Sequence, residues 1–453
     1  MMDMRRPLST LLLLALLPVG GRAQEPTHTA GEPATAARPF AADSTVSLGD
    51  VYRLALERSP RLRAAAALVD ARRAMEGSAG VPSDPMLQVG IMNFSVPGFD
   101  ADMPTSMAPS IQLMQMVPLP GKLGLAGRIA EQSTAQARSA ASEAWWEVRT
   151  SAAMAFYMVY EAERQAAVMR ETLRWLRDYE QVAKAMYGAG EGRQSDALRA
   201  GVEVARMEAE LQRMDAMRKS AVARLNGVLA LPADNPVPLT VPGALPDALP
   251  PVAELRRWAV ATQPMLERGR IGVEQAETRG RLARRELWPD PVVGVEYGQR
   301  RTTPDEMGMT GTERMGSVMV GFSLPVFAGK RQLRMRDEAN AMASMARADL
   351  AMMEAEVEAR LGELLATLER TRSLVELYRT DVLPQARMNV EASFAGYRAG
   401  SVDFMTLVDA QMSVSQYEQE RYALVAEYGR AIAELEMTIG RELPATAAIL
   451  TEE

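Results

Sequence analysis

The fold is decided by one stretch of the sequence, residues 145–176, which reads WWEVRTSAAMAFYMVYEAERQAAVMRETLRWL. Apolar side chains recur in it at alternating steps of three and four residues: Trp145, Val148, Ala152, Ala155, Val159, Ala162, Ala166, Met169, Leu173 and Leu176. This spacing is the heptad repeat of a coiled coil. Because many of these positions are alanine, a neighbouring helix can approach closely. The stretch therefore predicts a helix that packs along its length against other helices.

The predicted helix is much longer than this stretch, because no proline interrupts residues 122–186. At a rise of 1.5 Å per residue, it would be roughly 100 Å long. A second series repeats the spacing at Leu361, Leu364, Leu368, Thr371, Val375, Tyr378 and Val382. Pro384 follows it and should kink the second helix, since proline lacks a backbone donor. The first helix has Arg174 at the matching place, so we expect the two helices to differ.

The two halves of the chain are copies of one pattern. Five landmarks recur in the same order: Ala55–Leu62 with Ala259–Leu266, Asp84–Pro85 with Asp290–Pro291, Gly121–Lys122 with Gly329–Lys330, Tyr187–Gly190 with Tyr397–Gly400, and Leu231–Pro232 with Leu443–Pro444. We therefore predict a duplication, with a first repeat at 47–231 and a second at 252–444. The Pro-rich linker 232–251 joins them. We expect it to form, with residues 24–46 and 445–453, a belt around the middle of the molecule.

Each repeat also contains two short segments with alternating side chains. In the second repeat, residues 292–298 and 317–324 alternate bulky apolar with small or polar side chains, and residues 86–94 and 110–117 do so less regularly. Segments of this kind form strands that cross a membrane at a tilt, or the half-buried sheet of a soluble domain. Four strands cannot close a barrel, whereas three chains would supply twelve.

The first 23 residues have the features of a secretory signal peptide. Arg5 and Arg6 precede an apolar run at residues 8–19, and the small residues Gly21 and Ala23 follow it. The run is too short to span a bilayer. The sequence contains no cysteine, so a lipid-bearing N-terminal cysteine is not expected.

The composition argues against most enzyme classes. With no cysteine and a single histidine, His28, most nucleophile–base pairs and transition-metal sites cannot be built. No Asp/Glu pair lies in a recognisable site, so a carboxylate hydrolase is a distant alternative, and we predict neither catalysis nor a cofactor. The formal net charge of −7 without a basic run argues against nucleic acid as a partner. The 31 methionines could bind a soft metal, but their spread along both repeats suits core filling.

With its duplicated plan, the chain resembles the TolC family of outer-membrane efflux proteins over essentially all of the mature sequence. The resemblance rests on three local patterns: Leu54-Ala55 followed by Pro60-x-Leu62; Val117–Lys122 with Leu324–Lys330; and Tyr397–Gly400 continuing to Leu407–Gln411. Residues 119–122, Leu-Pro-Gly-Lys, and the run Gly192–Arg199 are most similar to the heavy-metal (CzcC-like) branch.

The resemblance implies a mainly α-helical chain with a membrane β-barrel, in which three chains form a duct of twelve strands and a long coiled-coil tunnel. Such a homotrimer would sit in the outer membrane of a Gram-negative-type bacterium with its helices in the periplasm. It would passively conduct cargo, heavy-metal cations being favoured, from an inner-membrane RND-type pump and a periplasmic adaptor protein. The alternatives are an exit duct for drugs or for type I protein secretion, and, from another class, a periplasmic coiled-coil adaptor.

Two short segments are expected to turn the chain from strand to helix. They contain Pro120, Gly121 and Lys122 in the first repeat, and Pro325, Gly329 and Lys330 in the second. Proline ends the pairing of a strand, and glycine permits a sharp turn. The two lysines are expected to reach lipid headgroups at the inner rim of the barrel. Alternatively, they are ordinary lysines at a helix N-terminus.

The family resemblance assigns the helix-to-helix turns to the periplasmic tip, where the adaptor binds. Glycine-containing turns of this kind are found at Tyr187, Gly188 and Gly190, and again at Tyr397 and Gly400.

Four residues near these turns are candidates for the aperture or gate. Asp409 lies where family members have an aperture carboxylate, and Thr406 replaces a second one. The first repeat has Asp196 and Arg199 at the matching places. Three copies of Asp409 and Asp196 would form a cation-binding ring, or these residues are solvated surface charges, with Arg199 neutralising Asp196.

We predict that the mature protein begins near Gln24 and has no lipid, because the start resembles a signal peptide and cysteine is missing. Mass analysis of the N-terminus of the protein isolated from outer membranes tests this. An acylated or uncleaved start would contradict it.

Overall fold

The computed structural model describes residues 45–92, 107–242, 246, 249–301, 309 and 311–443. The predicted signal peptide, most of the N-terminal linker with His28, and the tail 445–453 lie outside the described residues. The strands are β1 (Val46–Ser47), β2 (Met86–Met92), β3 (Met107–Met116), β4 (Thr240–Val241), β5 (Pro291–Arg301) and β6 (Thr312–Phe322). The helices are α1 (Leu48–Arg58), α2 (Pro60–Ala79), α3 (Lys122–Gly188), α4 (Gln194–Val228), α5 (Val252–Thr262), α6 (Pro264–Arg285), α7 (Gln332–Leu377), α8 (Leu383–Arg398) and α9 (Phe404–Ile439).

The long helix predicted in the first repeat is α3, a single helix of 67 residues. Nine of the ten heptad positions are buried, and Trp145 is half-buried. The buried stripe is wider than the heptad series, because Phe156, Tyr157 and Tyr160 also lie in the core. Helix α3 packs against α2, α4, α6 and α9, so several faces need apolar side chains at once.

The matching helix of the second repeat is interrupted, as Pro384 predicts. Helix α7 ends at Leu377, a π-helical turn occupies Tyr378–Val382, and α8 begins at Leu383. Pro384 lacks the N–H that would donate to the carbonyl of Thr380, and its ring crowds that carbonyl. The wider π turn relieves the conflict. Helix α3 has Arg174 at the matching place and continues unbroken.

Four strands form one antiparallel sheet in the order β2-β3-β5-β6, so the hairpins of the two repeats lie side by side. Leu113 of β3 pairs with Leu87 of β2 and with Val295 of β5, and Val295 pairs with Val318 of β6. In the second repeat, β5 continues beyond the predicted end at residue 298 to Arg301, and β6 begins at Thr312, before the predicted start at residue 317. The predicted strand 86–94 is observed as β2 up to Met92, and residues 93 and 94 lie outside the described residues.

The two faces of this sheet differ in chemistry. One face has exposed branched and aromatic side chains: Leu87, Val89, Ile91, Ile111, Leu113, Val293, Val295, Tyr297, Val318, Val320 and Phe322. The opposite face has polar, small and methionine side chains, among them Gln88, Gln112, Glu296, Gly294 and Met319. No described element covers the apolar face, which is unlike a half-buried sheet of a soluble domain. Several sheet methionines are exposed, so core filling does not describe them.

The linker between the repeats packs against the helices. Strand β4 pairs in parallel with β1, which follows the N-terminal linker. Glu163 of α3 accepts hydrogen bonds from the Thr240 amide (3.0 Å) and hydroxyl (2.8 Å), and Arg218 donates to the same carboxylate. Tyr428 of α9 donates to the Pro246 carbonyl. Among the described residues, no helix is long and apolar enough to cross a membrane.

A buried ion pair joins α1, α3 and α9 beside this linker. Arg149 lies 3.2 Å from Glu436 and 2.9 Å from Glu442, and its guanidinium stacks 3.9 Å from the ring centre of Tyr52. The Arg149 and Glu436 side chains are 4% and 1% exposed. At this burial, neither charge is solvated without the other.

Replacing Arg149 by Met should therefore destabilise the protein by about 3–5 kcal/mol, because Glu436 would remain buried without its cation. Thermal unfolding followed by circular dichroism in detergent measures the loss. The control is Arg256→Met, which removes an exposed partner of Glu358 and should leave the melting temperature unchanged. Equal melting temperatures for both variants would contradict the assigned role of Arg149.

Candidate functional site

The first strand-to-helix junction is closed by contacts with the second repeat. Strand β3 ends at Met116, and Gly121 adopts φ = +90°, a backbone conformation that favours glycine, immediately before α3. The Arg285 guanidinium of α6 donates to the Pro120 carbonyl at 2.7 Å. A β-carbon on Gly121 would lie 3.0 Å from the same guanidinium. The φ angle therefore favours glycine, and a β-carbon would in addition displace the end of the Arg285 side chain.

Lys122 is buried at this junction, with 8% exposure. Its ammonium lies 2.8 Å from Asp290 and donates to the Trp288 carbonyl at 2.8 Å. The Leu119 amide donates to the same Asp290 oxygen. The expectation that Lys122 reaches lipid headgroups is therefore wrong in this structure, because a carboxylate within the chain holds its ammonium.

The charge of Asp290 is stabilised by the same contacts. Burial alone would raise the pKa of this carboxyl. The hydrogen bonds from Lys122 and from the Leu119 amide outweigh burial, and the pKa lies below its usual range. Sequence analysis used Asp290 only as a landmark of the duplication and missed this role. The signal that could have revealed it is its recurrence, together with lysine, in both repeats.

The second junction is built differently. Residues 325–331 form a turn in which the Ala328 amide donates to the Pro325 carbonyl and the Lys330 amide to the Phe327 carbonyl. Helix α7 begins only at Gln332, whereas α3 begins at Lys122 itself. Lys330 is exposed, and Gly329 has open space around its α-carbon. The two junctions share a sequence pattern but differ in structure.

The two helix-to-helix turns have closely similar backbones. Gly190 and Gly400 adopt φ = +79° and +72°, and the following residues donate back to carbonyls of the last helical turn. This is the glycine-containing stop that the sequence predicts. Gly188 is the last residue of α3. The tyrosines differ, because Tyr187 is 47% exposed and Tyr397 only 4%.

The structure brings the two turns together. Tyr397 and Phe404 pack with Ala183 and Ala200 of the first hairpin in one apolar cluster. Burial raises the pKa of Tyr397, and the nearby Asp196 carboxylate raises it further. Among the described residues, the Tyr397 hydroxyl is buried without a hydrogen-bond partner. The Asp196 carboxylate of the first repeat therefore lies near Tyr397 of the second, a proximity that sequence analysis did not foresee.

The remaining gate candidates lie at the surface near the turns. Asp409 and Arg199 are exposed, and no ion pair joins Arg199 to Asp196 within the described residues. Thr406 donates through its backbone amide to Asp403, the N-cap of α9. This hydrogen bond, aided by the positive charge of Arg193, holds the pKa of Asp403 below its usual range. The exposed charges of Asp409 and Arg199 remain available to a partner, an ion or a second chain.

The chain matches a known family over both repeats. Residues 51–231 and 255–441 match the profile of the family described as Outer membrane efflux protein. A relative in Cupriavidus metallidurans, the cobalt-zinc-cadmium resistance protein CzcC, is 23% identical over 332 residues, which are 72% of this chain and 75% of that protein.

Solved structures of outer-membrane channels share the fold. The outer membrane protein VceC of Vibrio cholerae matches with a TM-score of 0.73 at 16% identity, over 87% of this chain and 96% of VceC. CusC matches with a TM-score of 0.72 at 15% identity, over 87% of this chain and 92% of CusC. These matches confirm the TolC-like fold of the single chain. Since the family profile matches well over half of the sequence, the chain belongs to the outer membrane efflux protein family, and its place is the outer membrane with its helices in the periplasm.

Proposed function

We propose that this protein is the outer-membrane exit duct of a tripartite efflux system. The observation that carries the proposal is the sheet with one lipophilic and one polar face, continuous through its junctions with helices of up to 67 residues. A sheet of this kind suits a wall between lipid and an aqueous lumen. The helices would extend that wall into the periplasm. Conduction would be passive, with the driving energy supplied by the pump.

The duct would be a homotrimer with a twelve-stranded barrel. Four strands per chain leave β2 and β6 as open edges, and an open edge in lipid would expose unpaired backbone groups. Three chains joined edge to edge remove every edge. A periplasmic adaptor would bind the tips near Tyr187, Gly190 and Gly400, and an RND-type inner-membrane pump would deliver the cargo.

Heavy-metal cations are the cargo that we favour. Support comes from the similarity to a cobalt-zinc-cadmium resistance protein and from the exposed carboxylate of Asp409 near the tip. Three such carboxylates around one opening would attract cations. The second candidate is an exit duct for drugs or secreted proteins, which shares the same architecture and needs no cation-binding ring.

The architecture is tested by the size of the purified particle. Because α3 alone has 67 residues, a trimer in mild detergent should be at least about 100 Å long. Electron microscopy measures the length, and light scattering corrected for detergent measures the mass. A monomer, or a much shorter particle, would rule out the proposed duct.

The gate is tested by replacing Asp409 with Asn. The fold should be retained because the side chain is exposed, while block by divalent cations in planar bilayers should weaken as three negative charges are lost. Asp349→Asn, a change of the same chemistry on α7, is the matched control and should conduct like the wild type. If Asp409→Asn also conducts and is blocked like the wild type, the aperture lies elsewhere, and Asp196 is the next candidate.

A further inference from the structure

The two junction lysines differ in what surrounds them. Lys122 is buried against Asp290, which belongs to the other repeat. Lys330 is the counterpart of Lys122 in the sequence of the second repeat, and Asp84 is the counterpart of Asp290 in the first. Both Lys330 and Asp84 are exposed. Within the described residues, neither has an ion pair or a side-chain hydrogen bond. The chain therefore forms one such ion pair, between Lys122 and Asp290, and contains the two residues for a second, Lys330 and Asp84, which do not pair with each other.

The Lys122–Asp290 ion pair forms where the two repeats pack against each other, and its surroundings show what a Lys330–Asp84 ion pair would require. There, β3 and α3 of the first repeat pack against β5 and α6 of the second. Seven residues of α6 are buried, among them Gln275, which donates to Ile129 and Ser133 of α3, whereas its counterpart α2 has no buried residue. Likewise α3 has a long buried stripe, while only six residues of α7 are buried. The flanks formed by β2 with α2 and by β6 with α7 therefore lack the neighbour that their copies have.

We infer that the second junction is completed by another copy of this chain, with Lys330 paired to Asp84 of the partner subunit. This inference rests on the proposed trimeric duct and adds the residues that join its subunits. The flank of β6 and α7 is a copy of the flank of β3 and α3, and it meets β2 and α2 of the partner. Such head-to-tail contacts close into a ring when the rotation permits. The ammonium of Lys330 then becomes buried, as that of Lys122 is.

The duplication also gives the register of the new strand pair. An offset of 206 residues relates Asp84 to Asp290, and an offset of 207 relates Pro118 to Pro325. The same offsets carry the Met86–Met114 pair of the first hairpin onto the Val292–Gly321 pair of the second. The observed pair Leu113–Val295 between repeats therefore corresponds to Val320 opposite Val89 of the partner subunit.

This register preserves the two faces of the sheet. The observed pair Ile111–Tyr297 corresponds to Val318 opposite Ile91 of the partner subunit. All four residues of these two predicted pairs belong to the apolar face. A slip by one residue would place apolar side chains opposite polar ones, so the agreement of the faces supports the register independently of the ion pair.

Charge reversal tests the ion pair in the complete protein. Lys330→Asp and Asp84→Lys should each cause loss of the trimer at a detergent concentration that leaves the wild type trimeric, because like charges then meet at the junction. The double variant should restore the trimer. Arg331→Asp, the same charge change one residue away, is the matched control and should remain trimeric. If neither single variant weakens the trimer, or the double variant does not restore it, the ion pair is wrong.

Cysteine crosslinking tests the register and separates the inference from the proposed function. The chain has no native cysteine, so Val320→Cys with Val89→Cys should give disulfide-linked oligomers on oxidation. Val320→Cys with Gln88→Cys, on opposite faces, should not. A trimer that crosslinks only in the second combination keeps the duct and overturns our register. A protein that is monomeric in the membrane overturns both the inference and the duct.

Discussion

The constraint on which this structure depends is that every helix in a one-layer wall needs a neighbour on each side. Helices α2, α3, α6 and α7 follow one another through pairwise contacts, so that within this series α3 and α6 each contact two helices, and α2 and α7 one each. The difference is visible in burial, since α6 has seven buried residues and α2 has none. The strands show the same pattern, because β3 and β5 each pair with two strands, whereas β2 and β6 at the edges each pair with one. In the proposed trimer, the neighbouring chains would supply the missing contacts on both flanks.

The first strand-to-helix junction connects the packing of the sheet to the packing of the helices. Asp290 precedes β5 and holds both the first residue of α3 and the Leu119 amide. One carboxylate thereby fixes where the chain leaves the sheet and where the helix starts. Since the pair is mostly buried, removing either partner would leave a poorly solvated charge. The same Lys and Asp recur at the other edge of the chain, where Lys330 and Asp84 are both exposed.

Much of this fold could be predicted from the sequence because its signals are local and periodic. The heptads of α3, the interruption before Pro384 and the glycine turns follow from spacing and backbone chemistry. The partner of Lys122 and the charge near Tyr397 could not be predicted, because Asp290 and Asp196 approach these residues only after the two repeats have packed together. The second junction also has one extra residue between Pro325 and Gly329, and α7 begins there only at Gln332.

The duplication keeps the backbone plan while allowing the two hairpins to differ in chemistry. At the tip, Tyr187 is exposed and Tyr397 is buried against Phe404, although both turns have the same glycine conformation. The second hairpin has the π-helical turn, and the first has an unbroken helix. A π turn interrupts the regular α-helix, so the connection of α7 to α8 has a place to bend that the unbroken α3 lacks. The π turn thus distinguishes the two hairpins, and Asp409 lies on the hairpin that contains it.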